Sequence, residues 1–169
     1  MGPTIRKLRA RLANVLKDLA VRIAHVGSTA VPGLAAKPLI DIDVLLRSVS
    51  DLPQVIAALA SIGYRRRGDL GILGREAFRA PASAFPHHLY VRTEGREYGR
   101  HLAFRDYLRT HPEDAAAYAS LKRELAGTLR DHREAYNNAK AEFVEKILRK
   151  ASSPEMLSKL AVPSKAGSA

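Results

Sequence analysis

The sequence predicts an α/β (α+β) domain, a mixed β-sheet flanked by helices with a helical C-terminal half. Two short apolar segments, residues 21–26 and 39–46, are bounded by glycine and proline in the manner of buried strands. Apolar residues at three- and four-residue spacing precede and follow them, and from residue 97 onward the pattern is helical throughout.

Residues 5–19 place Ile5, Leu8, Leu12, Val15, Leu16 and Leu19 on one face with basic residues between, which predicts an amphipathic helix capped by Thr4. Residues 21–26 and LIDIDVLL (39–46) are the first two strands, and the TAVPGLAAKP stretch between them reads as a loop with at most one helical turn. Asp51 and Pro53 supply a helix start, and VIAALASIG supplies its body and glycine stop. Residues 64–93 alternate short apolar groups with glycine and proline, a strand meander whose clearest member is 88–92. Three helices follow: one to about residue 110, one after Pro112, and one over 134–150. Residues 1–150 therefore read as one domain without internal repeats, and residues 151–169, rich in small polar residues, read as a flexible tail.

Among 169 residues, 28 Lys and Arg face 17 Asp and Glu, and the net charge of +11 favours phosphates or other acidic ligands. No arginine-glycine run or recognition helix singles out nucleic acid. The absence of cysteine excludes disulfides, thiolate zinc sites and a cysteine nucleophile, and fits a reducing compartment. No segment has the ~18 uninterrupted apolar residues of a membrane span, and no apolar run of signal-peptide length opens the chain, so the expected location is the cytoplasm.

Asp41 and Asp43 are one residue apart on a predicted strand, so both side chains leave the same face while Ile40, Ile42 and Val44 leave the other. Two carboxylates in one small space repel each other unless a cation lies between them. An oxygen-only pair suits Mg²⁺ or Mn²⁺, although a solvated strand end gives the same pattern. Gly27 and Ser28 directly follow the preceding strand; glycine admits a phosphate close to the backbone, and the hydroxyl and following amides can donate to it. A strand, then Gly-Ser, then a strand with D-x-D is the pattern of the nucleotidyltransferase fold.

The longer string HVGSTAVPGLAAKPLIDIDVLL, from His25 to Leu46, resembles the GrpB family of the nucleotidyltransferase superfamily. The resemblance continues through PHHLYV from Pro86, RHLAFRDYLRTHP from Arg100 and YNNAKAEFVEKIL from Tyr136. It implies a phosphate loop at Gly27, Ser28 and Thr29, and metal carboxylates at Asp41 and Asp43. Active nucleotidyltransferases usually present a third carboxylate from a later strand; here that strand is HHLYV, which offers His88, while Asp69, Glu76 and Glu94 have no spacing that selects one of them. His88 then ligates the metal or accepts a proton, or is a structural histidine. His25 is expected to position the loop. Lys37, in the loop between glycine and carboxylates, reads as a phosphate ligand or a solvated lysine. Arg105, one turn before Arg109, faces the nucleotide or belongs to an exposed ion-pair ladder, and Lys140 reaches a phosphate or snorkels beside Tyr136 and Phe143.

Three functions follow as expectations. One is Mg²⁺-dependent nucleotidyl transfer from a nucleoside triphosphate, ATP foremost, to a small acceptor. Another is a module that holds a nucleotide or coenzyme A-like ligand without chemistry, since GrpB domains are also found appended to dephospho-coenzyme A kinases. The third is a basic nucleic-acid binder, which the sequence supports least.

Overall fold

A computed structural model describes residues 2–93, 95–128 and 133–152. The elements run in the order helix α1 (Gly2–Leu16), strand β1 (Ala20–Val26), strand β2 (Ile40–Leu46), helix α2 (Leu52–Ser61), strands β3 (Arg65–Gly68), β4 (Arg75–Arg79) and β5 (His87–Arg92), then helices α3 (Gly95–Thr110), α4 (Pro112–Thr128) and α5 (Arg133–Ala151). The predicted helices and strands are all present, but α1 begins at Gly2, so Thr4 lies inside the helix and is not its cap, and the last predicted turn, Lys17–Leu19, is a 3-10 turn. Helix α5 takes in Ala151, where the sequence predicts the tail to begin, and residues 153–169 lie outside the described residues.

The start of α2 differs from its predicted cap. Asp51 makes no capping hydrogen bond; Ser48 does that work one turn earlier, accepting from the Ser50 amide at 3.3 Å to open a short 3-10 turn over Val49–Asp51 that leads into the helix. Pro53 does stand at the helix start, where its missing N–H has no consequence.

Chain contacts divide the protein into two compact units, Met1–Arg105 and Asp106–Ala169, with the boundary inside α3. In the first, five strands form one sheet in the order β1-β2-β5-β4-β3. β2 and β5 pair in parallel and every other pair is antiparallel. The sequence between β2 and β5 supplies α2 and the β3-β4 hairpin, so two strands far apart in sequence become central neighbours. Alternation decides what each face carries. Ile40, Ile42, Val44 and Leu46 of β2, Leu89 and Val91 of β5 and Phe78 of β4 pack with Leu8, Leu12 and Leu16 of α1 and Val55 and Leu59 of α2 into the principal core. The intervening residues of β2 and β5 leave the opposite face.

In the second unit, α4 and α5 run antiparallel. Tyr118 stacks on Phe143 with centroids 5.2 Å apart, and Asp114 accepts from Lys150 at 2.8 Å, so residue numbers across the pair fall as they rise on the partner. That ion pair draws the Asp114 carboxyl below its ordinary range and lifts the Lys150 ammonium. Phe143 is half-buried; the Tyr136 side chain lies outside the described residues. Among the described residues no helix is long and apolar enough to cross a membrane.

Candidate active site

The sheet face opposite the principal core carries the candidate site. Asp41 and Asp43 leave it together, as the D-x-D spacing predicts, because their neighbours Ile40, Ile42 and Val44 are wholly buried in the core on the other side. Their surroundings differ. The Asp43 side chain is completely buried, whereas the Asp41 side chain is 31% exposed.

Parallel pairing aligns Asp41 with His88 and Asp43 with Tyr90. His88 Nδ1 lies 3.1 Å from Asp41 Oδ1. A carboxylate only accepts, so Nδ1 carries the proton, and the lone pair of a neutral His88 ring then sits on Nε2. Asp43 Oδ2 accepts from His101 Nδ1 at 2.6 Å and lies 3.4 Å from Nε of Arg92, whose side chain is only 4% exposed. The other oxygen, Asp43 Oδ1, is buried and has no hydrogen-bond partner among the described residues. Arg92 shares the Tyr90 ring with Arg75, their guanidinium carbons standing 5.7 and 5.0 Å from its centroid. Burial, followed by the charge of Asp41, pushes the Tyr90 phenol up.

Gly27 meets this pair from the side. β1 pairs antiparallel with β2, placing Val26 opposite Asp41, so the Gly-Ser loop stands on the neighbouring strand beside the carboxylates. Gly27 has φ +73°, and a Cβ there would run into Asp41 Oδ2 with Asp41 Cγ at 3.1 Å. Backbone conformation and close approach therefore both require glycine. Ser28–Ala30 make a short 3-10 turn, the single helical turn expected in this loop. His25 fixes that turn as predicted: its Nε2 lies 2.8 Å from Thr29 Oγ1, while its carbonyl accepts from Arg105 Nη1 at 2.9 Å. Thr29 and Arg105 thus meet at the loop through His25. Lys37 is exposed in the connection to β2, and its ammonium is paired with no carboxylate among the described residues. Lys140 belongs to α5 in the second unit, half-buried, where its charge helps burial lower the Lys122 ammonium.

Two residues of the constellation went unassigned in the sequence. Arg92 shares a strand face with His88 and Tyr90 at two-residue spacing, a signal that was available. His101 lies four residues before Arg105, one turn along α3. What the sequence does not state is that both meet Asp43, because that depends on the parallel register of β5 for Arg92 and on the packing of α3 for His101.

The site can be tested against a divalent cation. A buried carboxylate oxygen without a partner beside a second, partly exposed carboxylate is a suitable donor set for Mg²⁺ or Mn²⁺, with phosphate and water completing the shell. No group of three acidic, histidine or cysteine side chains is placed to hold a metal among the described residues. Asp69 accepts from the Gly71 amide and Glu76 from Arg66, while Glu94 lies outside the described residues.

The family model described as GrpB protein matches residues 3–150. The UPF0157 protein YqkA of Bacillus subtilis is 37% identical over 81% of this chain and 40% of its own length. The UPF0157 protein PA4798 of Pseudomonas aeruginosa is 41% identical over 76% of the chain and 54% of its own. The chain thus spans about half the length of these relatives. The crystal structure of conserved protein GrpB from Enterococcus faecalis superposes with a TM-score of 0.74 at 34% identity, covering 89% of this chain and 90% of that one.

Proposed function

The chain belongs to the GrpB family, and we propose that it transfers a nucleotidyl group from a nucleoside triphosphate, ATP foremost, to a small acceptor with the help of Mg²⁺ or Mn²⁺. The observation that carries the reading is the placement of Gly27 against Asp41, with Asp43 Oδ1, which has no hydrogen-bond partner among the described residues, on the same sheet face. Asp41 and Asp43 would hold the cation. When bound, it would neutralise charge on the triphosphate.

The chain's own residues divide the remaining work. The Gly27-Ser28 loop is fixed through His25, Thr29 and Arg105, so a phosphate seated on its amides arrives beside Asp41 without reorganisation of the loop. Lys37 contributes charge from the same connection. His88, oriented by Asp41, takes the proton of the acceptor on Nε2 as the acceptor oxygen bonds to the α-phosphorus, the α–β bond breaks and pyrophosphate leaves. Arg92 and His101 hold Asp43 at a fixed position.

A second reading, a module that binds a nucleotide or coenzyme A-like ligand without chemistry, is favoured by one observation. Asp43 is already paired with Arg92, and the place of a third carboxylate is held by His88, so the pair offers less net negative charge than two free acids.

Calorimetry of ATP binding, with Mg²⁺ and with chelator, tests the metal role in wild type and in Asp41→Asn. Asp41 is the better position because it is partly exposed; Asp43→Asn would strand Arg92 as a buried charge and confuse folding with binding. Mg²⁺ should tighten binding to wild type and have little effect on Asp41→Asn. An equal Mg²⁺ effect in both proteins removes Asp41 from the metal site and sinks the transferase reading. Release of pyrophosphate in the presence of a pool of candidate hydroxyl and phosphate acceptors then separates the transferase from the binding module.

A further inference from the structure

The strand registers align one row of side chains across the sheet: Arg65 lies opposite Arg79, Arg79 opposite His88, and His88 opposite Asp41. Opposed residues point to the same face, and Phe78, beside Arg79 in sequence, is buried in the principal core, so the row lies on the face of the candidate site. At about 4.8 Å per strand, Arg79 stands roughly 10 Å and Arg65 roughly 14 Å from the Asp41 strand position. Both arginines are exposed. Neither forms an ion pair among the described residues.

Like charges directly opposed on antiparallel strands weaken a sheet. The next residue shows the ordinary remedy: Arg66, registered with Phe78, donates twice to Glu76 at 2.8 and 2.9 Å. On the site face Arg79, one strand beyond His88, and Arg65, two strands beyond it, stand opposed in register without such a partner among the described residues. The phosphate loop flanks Asp41 from the β1 side, whereas this row leaves Asp41 on the β5 side, where a second substrate would approach.

We infer that Arg65 and Arg79 form an acceptor subsite that clasps a phosphomonoester, so that the acceptor is itself a phosphorylated small molecule with its reacting hydroxyl roughly 10 Å from its phosphate. Adjacent guanidinium forks match the several oxygens of one phosphate, and the dianion relieves the repulsion between them. The acceptor role rests on the nucleotidyl-transfer reading; the anion site does not.

Phenyl phosphate is the probe, titrated calorimetrically into the full chain as wild type, as R65Q/R79Q, and as R6Q/R9Q, a charge-matched control on the exposed side of α1. Phenyl phosphate should bind wild type and R6Q/R9Q alike, and R65Q/R79Q about tenfold or more weakly, the loss typical of deleted charge-assisted hydrogen bonds. Absence of binding to wild type, an equal loss in both variants, or no loss in R65Q/R79Q overturns the inference. So does self-association of R65Q/R79Q at unchanged phosphate affinity, which would make the arginines guards of the β3 edge. The Mg²⁺ effect on ATP binding in wild type reads the aspartates independently. If it is absent while the arginine-dependent binding holds, the transferase reading fails and the row stands as a phosphate site.

Discussion

His87 and His88 are consecutive residues of β5, and they face opposite ways. His87 is buried in the helix-covered side, where its Nδ1 donates to the Phe85 carbonyl at 2.6 Å and its Nε2 accepts from the Tyr64 hydroxyl at 2.7 Å. His88 is half exposed on the other side, held by Asp41 with its second nitrogen available. The same contrast runs through the sheet. On one face, polar groups are matched to partners and apolar groups fill the space. On the other, among the described residues, a buried carboxylate oxygen has no hydrogen-bond partner and two arginines oppose each other. Local costs on one face, carried by strands whose alternate residues stabilise the fold, are the physical mark of a site.

The largest test of this division is Ile42→Ala, between the two aspartates but in the core. It should cost about 3 kcal/mol in urea unfolding, while the Mg²⁺ dependence of ATP binding in the folded fraction stays as in wild type. A lost Mg²⁺ effect would mean the two faces are not separable. Gly27→Ala should follow, at about 2 kcal/mol from the positive φ and the displaced Asp41 carboxylate, with binding impaired as well. Unchanged ATP affinity there would show that the close approach to Asp41 has no role in the site.

The pH dependence of His87 is smaller. Burial, the leading cause, lowers its pKa below the ordinary value of about 6.5, so the unfolded chain takes up a proton first as pH falls. This contribution to stability is present above that ordinary value and is lost on descent from it towards the depressed folded value. Urea unfolding at pH 7.5 and 5.5 should therefore give lower stability in acid, with a shallower dependence in His87→Gln than in wild type. An unchanged slope would assign the acid sensitivity elsewhere. Asp41→Asn should move stability least, within about 1 kcal/mol, because the group is partly exposed. A much larger change would make Asp41 a structural residue.

The sequence announces this arrangement where chemistry and periodicity coincide. D-x-D in an otherwise apolar strand shows that Asp41 and Asp43 share a face, and the Gly27 position is marked by its place directly after a strand. Arg92 and His101 were harder to read because their role depends on registers between segments roughly 50 residues apart, which no local pattern encodes. Asp51 looked like a cap because acid before proline is a common helix opening; the 3-10 turn capped by Ser48 took that role by starting one turn earlier. Arg105, expected to face the nucleotide or to join an exposed ion-pair ladder, donates to the His25 carbonyl beside the loop, a contact that no local pattern encodes.

The central parallel pairing of β2 with β5 also sets a schedule. Asp41 meets its histidine across 47 positions of sequence and Asp43 meets His101 across 58. During synthesis the β1-β2 hairpin can close while β5 and α3 are still to come, so the carboxylates exist for a time without Arg92, His88 or His101 beside them. Contacts of such long separation form late because the chain between them must first be ordered. On the proposed function, ligand affinity at the aspartates would be a late marker of folding: a nascent chain that ends before residue 87 carries both acids and the loop, yet lacks His88, Arg92 and His101.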